Sequence, residues 1–306
     1  MITFDEQVAI VTGAGHGLGR SHALSLAERG ARVVVNDLGG ARDGTGSSLS
    51  AAEAVVAEIE ASGGEAMVNG ADVTDQEGVR GMVDEAVERW GRVDILINNA
   101  GILRDRSFQN MTMENFELVV RVHLLGTANC THAVWGHMRE RGYGRIVVTT
   151  SSSGLYGNFG QSNYGAAKLG VVGLMNTLRA EGAKYDIRIN ALAPVAHTRM
   201  TDELLPDEAK QLLKPEEVTP GVIFLVSEGA PHGIVLAAGA GGFAAARIYE
   251  TEGIWLAPDE RTPETIASRI DDILDPDGQR EMMAGGDQTM KFLGKAMAAA
   301  DDDGGR

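Results

Sequence analysis

Cysteine is almost missing from this chain: Cys130 is the only one. That count excludes an internal disulfide and any zinc cluster of paired cysteines, and it is consistent with a reducing compartment. Basic residues are scarce too, with 27 Lys and Arg against 43 Asp and Glu and a net charge of -16. Such a balance opposes nonspecific nucleic-acid binding. An anionic ligand must be met by local groups, namely helix N-termini and single arginines. No apolar run approaches the roughly 18 to 20 residues of a membrane helix, and residues 1–6 lack a basic stretch leading into an apolar one. These absences predict a cytoplasmic chain that is neither exported nor inserted in a membrane. No His-Glu-x-x-His is present, and His132 and His137, five apart, fall on different helical faces, so no metal is expected. A Gly-x-Ser-x-Gly elbow is also lacking, which argues against a hydrolase.

What is present is an ordinary globular composition, 43% hydrophobic and 23% charged over 306 residues. Through about residue 200, short β-rich runs alternate with longer amphipathic ones. Strands are predicted at Gln7 to Thr12, Arg32 to Asn36, Glu65 to Asn69, Asp94 to Ile97, Arg145 to Thr149 and Ile187 to Leu192. Helices are predicted between them, including one long helix from Met113 to Arg141 and another from Ser162 to Lys184. Strands joined by helical crossovers make a parallel sheet covered on both faces. The expected class is therefore α/β, a Rossmann-like doubly wound sheet of about seven strands, the seventh at Gly233 to Ala238. Gly239 to Gly242 reads as a chain break. Residues 1–246 form the expected domain and 247–306 a C-terminal extension, with a helix over Thr262 to Leu274 and a disordered acidic tail.

Two stretches carry chemistry. Thr12-Gly13-Ala14-Gly15-His16-Gly17-Leu18-Gly19 lies between the first strand and first helix, where a dinucleotide pyrophosphate meets a helix N-terminus. Glycines there permit the turn and let backbone approach phosphate. Asp37 ends the second strand, where a carboxylate can bond the ribose hydroxyls and repel a 2′-phosphate; this favours NAD, while Arg42 nearby keeps NADP open. Asp72 and Val73 follow the third strand and reach the adenine or cap a helix. Asn98-Asn99-Ala100-Gly101, after the fourth, line the cofactor or tie strand ends together.

The second stretch ends in Tyr164-Gly-Ala-Ala-Lys168. On a helix the two side chains sit one turn apart, and an ammonium beside a phenol lowers its pKa, making Tyr164 a candidate general acid/base. Ser151, after the fifth strand, is placed to hold a substrate oxygen. A lone Tyr-x-x-x-Lys arises by chance about once in ten chains of this composition, so the pair needs its context. Beyond Tyr164, the residues Gly165, Ala166, Ala167, Gly170 and Gly173 make a small-residue face suited to core packing or to a subunit interface.

In this order, Thr-Gly-x-x-x-Gly-x-Gly at 12–19, Asn-Asn-Ala-Gly at 98–101, Ser151 and Tyr-x-x-x-Lys at 164–168 resemble the short-chain dehydrogenase/reductase family over roughly residues 5–245. The resemblance implies a nicotinamide-dependent oxidoreductase. Gly13, Gly15, Gly17, Leu18 and Gly19 would form the phosphate turn, and Asp37, Asp72, Val73, Asn99, Ala100, Gly101 and Thr198 would complete the cofactor site. Ser151 would orient the substrate oxygen, Tyr164 act as acid/base, and Lys168 hold the nicotinamide ribose, with homodimers or homotetramers expected. Val35 to Gly40, Gly101 to Phe108, Tyr156 to Gln161 and Thr198-Arg199-Met200 are similar to the (3R)-hydroxyacyl-CoA dehydrogenase units of peroxisomal multifunctional enzymes of type 2, which implies an acyl-CoA substrate and NAD. The C-terminal Gly-Gly-Arg is not a Ser-Lys-Leu-type address. Other secondary alcohols, steroids included, 3-ketoacyl reduction and a nonenzymatic NAD-binding role are the alternatives. His123 stands where the family usually has Asn, and Pro194-Val195 where Pro-Gly is common.

Overall fold

The computed structural model describes residues 1–197 and 207–304. It divides into two compact units, 1–246 and 247–306. In the first, strands β1 (Val8–Thr12), β2 (Arg32–Asn36), β3 (Ala66–Asn69), β4 (Ile95–Asn98), β5 (Gly144–Thr149), β6 (Ile187–Pro194), β7 (Val235–Gly239) and β8 (Gly242–Ala246) form one sheet in the order 3-2-1-4-5-6-7-8. The pairs through β7 are parallel, and β8 is antiparallel to β7. Central strands such as Val-Ala-Ile-Val-Thr are buried along their whole length because both faces of the sheet are covered.

Helices α1 (Gly17–Glu28), α2 (Ser50–Ala61), α3 (Gln76–Trp90), α4 (Met113–Val120), α5 (Gly126–Arg141), α6 (Ser152–Tyr156), α7 (Ser162–Gly182), α8 (Asp207–Leu212) and α9 (Thr219–Leu225) complete this unit. Their apolar faces divide the core in two. One layer packs Val11, Ala23, Leu26, Val33, Val55, Ile59 and Val222; the other packs Ile10, Met82, Leu96, Val134, Met138, Val171 and Met175. Local signals set the helix ends. Asp75 caps α3 through the Glu77 N–H and Thr112 caps α4 through that of Asn115, while Gly91 and Gly142 close α3 and α5 in the left-handed conformation.

Two differences from the sequence reading have physical causes. The expected break at Gly239 to Gly242 is the turn of a hairpin, with Ala240 (φ 47°) and Gly241 (φ 75°) both left-handed, as a tight right-twisted hairpin requires. Its second strand, Gly-Phe-Ala-Ala-Ala, has no β-branched residue to announce it. The long central helix is not continuous: Arg121–Leu125 form a π-turn between α4 and α5. Such turns widen a helix by one residue and mark functional positions.

The C-terminal unit pairs β9 (Tyr249–Glu250) with β10 (Arg280–Glu281) and holds α10 (Pro263–Ser268), α11 (Ile270–Leu274) and α12 (Gly285–Gly304). Nearly buried Lys291 ties it together, with Nζ 2.7 Å from Glu250 Oε1 and 2.5 Å from Thr251 O. Helix α12 runs to Gly304, into the acidic tail that composition predicted to be disordered.

Candidate active site

The sheet order reverses between β1 and β4, and the crevice at the carboxyl ends of these strands is the customary ligand position in an open α/β sheet. A cleft lies there, lined by Gly13, Gly17, Leu18, Asp37, Asp72, Val73, Asn99, Ala100 and Gly101 among the anticipated residues, with Arg42, Leu118 and Val122. Thr198 lies outside the described residues. Gly15 and Gly19 act behind the lining. A Cβ on Gly19 would collide with Gly13 O, and one on Gly13, left-handed at φ 64°, would meet Ala100 Cα at 2.8 Å. These glycines let the turn fold tightly against β4.

Cross-links hold that turn. Thr12 Oγ1 accepts from the N–H groups of Asn99 (3.0 Å) and Ala100 (3.1 Å), and Asn99 Nδ2 donates to Thr12 O (3.0 Å) and Gly13 O (3.1 Å). Asn99 therefore lines the cleft and ties strand ends at once. Asp37 accepts from Gly15 N and Gly39 N, both at 2.7 Å, which fixes its carboxylate at the tip of β2. Asp72 accepts from Thr74 N at 2.8 Å, a turn contact, and leaves the helix cap to Asp75. Helix α1 begins at Gly17 after His16, which makes no side-chain cap. First-turn N–H groups without a side-chain acceptor suit a pyrophosphate, so these residues fit a dinucleotide.

The candidate proton-transfer residues Ser151, Tyr164 and Lys168 come from the end of β5 and from α7, beside α6. Ser151 caps α6, accepting from Ser153 N at 3.2 Å, and its side chain acts on the Tyr164 hydroxyl by lowering its pKa. Lys168, one turn along α7, is buried; its Nζ donates to Thr149 O at 2.5 Å and lies 5.6 Å from the Tyr164 ring centroid. Spacing alone predicts a lowered Tyr164 pKa, and the structure corrects this. Burial raises the phenol to about 12, the Ser151 hydrogen bond opposes that rise, and the Asp105 charge adds to it. Desolvation dominates at the phenol, and burial likewise lowers Lys168 to about 7.

Three groups escaped the sequence reading as parts of this site. Asp105 accepts from Gln161 Nε2 at 2.8 Å through Oδ2, which fastens the loop after β4 to the start of α7. Asn163 donates to Arg104 O at 3.0 Å in the same seam. Thr149 contributes only a carbonyl, which no motif of side chains can reveal.

Residues 7–209 match the short chain dehydrogenase family. The chain belongs to the short-chain dehydrogenase/reductase family. It is thus an oxidoreductase of a family that acts on alcohols. It is 48% identical over 278 residues to a short-chain type dehydrogenase/reductase of Mycobacterium tuberculosis, covering 90% of this chain and 96% of that one. It is 47% identical over 277 residues to the peroxisomal multifunctional enzyme type 2 of Mus musculus, covering 90% of this chain and only 37% of that enzyme. Among solved structures, full-length peroxisomal multifunctional enzyme type 2 of Drosophila melanogaster superposes with a TM-score of 0.80 at 35% identity, covering 95% of this chain and 49% of that one. A 7α-hydroxysteroid dehydrogenase complexed with NADH and 7-oxoglycochenodeoxycholic acid gives 0.70 at 28% identity, covering 78% of this chain and 95% of that one. No group of three or more potential metal ligands occurs among the described residues.

Proposed function

We propose that the protein oxidises (3R)-3-hydroxyacyl-CoA to 3-ketoacyl-CoA with NAD. The observation that carries the reading is Tyr164 one turn from buried Lys168 on α7, with Ser151 at the head of α6 beside them, in the sheet whose carboxyl end holds the glycine-lined cleft. In the forward direction Ser151 Oγ holds the substrate oxygen and Tyr164, as phenolate, takes the hydroxyl proton. The cofactor, when bound, supplies the hydride acceptor and, oxidised, a positive charge. Protonated Lys168 favours the phenolate and, with Asn99, Ala100 and Gly101, would hold the nicotinamide end. Asp37 at the tip of β2 supports NAD, because its carboxylate opposes a 2′-phosphate there. The acyl-CoA class is supported by 47% identity along 90% of the chain to a peroxisomal multifunctional enzyme type 2.

Oxidation of a steroid hydroxyl is the second reading, favoured by the likeness to the hydroxysteroid dehydrogenase. A homodimer or homotetramer in the cytoplasm completes the proposal. Exposed Leu125 and Leu169 and the open surface at Gly173 support an interface along α5 and α7, and no described helix is long and apolar enough to cross a membrane. The decisive measurement is NADH formation by purified protein with (3R)- and (3S)-hydroxyacyl-CoA, a steroid alcohol, and NADP in place of NAD. Turnover of the (3R) thioester with NAD is expected. Turnover of the (3S) form alone, or of the steroid alone, overturns the reading.

A further inference from the structure

Between β2 and α2 the chain crosses from Leu38 to Ser48 with four glycines and, after Leu38, no apolar side chain larger than alanine. Hydrophobic burial therefore offsets little of the entropy of ordering this loop. Its own backbone closes it at the base, where Ser48 N donates to Leu38 O at 3.0 Å, and turns its tip, where Ala41 N donates to Thr45 O at 2.7 Å. Leu38, Gly40, Ala41, Arg42 and Gly44 line the cleft together with Asp37.

The tip is fastened from the chain that follows β4. Leu103 N donates to Arg42 O at 3.0 Å, and Arg104 Nε donates to Asp43 O at 2.9 Å. Gly44, left-handed at φ 87°, lies so close to Ile102 that a Cβ there would stand 3.2 Å from Ile102 Cγ2. Arg104 is itself held on two further sides. Its Nη1 donates to Asn115 Oδ1 on α4 at 2.7 Å, and its carbonyl accepts from buried Asn163 at the start of α7 at 3.0 Å. The planar guanidinium thus bridges loop and helix with two donors in one fixed fork, a geometry that a flexible ammonium does not reproduce.

We propose that Arg104, standing behind the lining of the cleft, is a positioning residue for the cofactor: it clamps the 38–48 loop to α4, so that the loop is already closed along the adenosine end before the dinucleotide arrives. This rests on the cleft taking NAD with its adenosine half beside Asp37. A glycine-rich loop released from the clamp must be ordered by the ligand, and affinity falls by the fraction of time the loop spends closed.

The experiment uses ADP-ribose, which has the adenosine end of the cofactor and lacks the nicotinamide. Isothermal titration of Arg104→Met is expected to show binding weaker by about tenfold, with the KM for NAD raised by the same factor. The kcat at saturating NAD and its pH profile stay within about twofold of the parent. Hydrogen exchange at residues 39–47 is faster in the free variant and returns to the parental rate with ADP-ribose bound. Parental ADP-ribose affinity in Arg104→Met overturns the proposal, as does unchanged exchange in the loop or a fall in kcat as large as the loss of affinity. A parent that does not bind ADP-ribose overturns the NAD reading itself, and this inference with it. If Arg104→Met does not fold, Asn115→Leu, which frees the far side of the fork, decides by the same titration: a loss of about threefold is expected for one hydrogen bond, and parental affinity overturns the proposal.

Discussion

The two halves of the site are built by opposite means. At the glycine-lined cleft the backbone does the work: a Cβ on Gly13 would lie only 2.8 Å from Ala100 Cα and one on Gly19 would collide with Gly13 O, and Thr12, Asp37 and Asn99 brace the turn from neighbouring strand ends. At the proton-transfer end side chains do it, drawn from Asp105, His123, Ser151, Gln161, Tyr164 and Lys168 and held largely by burial. Backbone geometry tolerates little change in shape. A buried polar cluster instead stores cost in desolvation, and so couples activity to stability and pH.

The largest effect that would sharpen this contrast is at Lys168. Lys168→Met should lower turnover by about two to four orders of magnitude, in the range of general acid–base contributions, and yet stabilise the fold. Folding lowers the Lys168 pKa from its ordinary 10.5 to about 7, so the unfolded chain binds more protons between those values and parental stability rises with pH through that window. The penalty for burying the ammonium is therefore full below pH 7 and gone above about 10.5. Between those limits it falls by about 1.4 kcal/mol for each step of one in pH. Thermal melts should show Lys168→Met ahead of the parent at pH 6, with the gap shrinking toward pH 10. A gap that does not change with pH would break the contrast.

Gly19→Ala should act next, and only at the cofactor end. Its Cβ would meet the Gly13 carbonyl, a backbone atom that cannot swing aside. NAD affinity is expected to fall about a hundredfold, close to 2.7 kcal/mol, with no displacement of the pH profile of remaining turnover. Isothermal titration with NAD checks the first and steady-state kinetics the second. The smallest effect is expected from Asp37→Asn, which removes the charge but not the side-chain volume, and which can accept only one of the N–H bonds from Gly15 and Gly39. A shift of about tenfold in the NADP to NAD preference follows from losing like-charge repulsion. An unchanged preference would mean that other groups in the cleft set it.

This asymmetry explains what could be read from the chain. The glycine-lined cleft was legible as a cluster because its requirements are local: glycine where φ turns positive, a carboxylate one strand later, small residues after β4. The parallel order was legible for the same reason, as buried strands and amphipathic crossovers announce themselves by periodicity. The β8 strand was not, because alanines in a hairpin carry no β signal, and neither was the π-turn, since Arg-Val-His-Leu-Leu reads as ordinary helix. Tyr164 shows the limit most clearly. Spacing shows an ammonium one turn away, but desolvation depends on everything packed around the phenol, and it is the largest influence on the hydroxyl.

The π-turn at Arg121–Leu125 has a further consequence. It amounts to one residue more than an unbroken α-helix would spend between the same ends, so the rotation of α5 relative to α4 is set by chain length and not by the chemistry of any one side chain. A substitution can weaken such a turn without removing it. A deletion would restore the regular spiral between the same ends, whereas winding the turn into α-helix with every residue kept would swing each downstream side chain by about 100°. The face that brings Thr127 under His123 and Asn129 against Val73 is thus held in place by the wide turn itself.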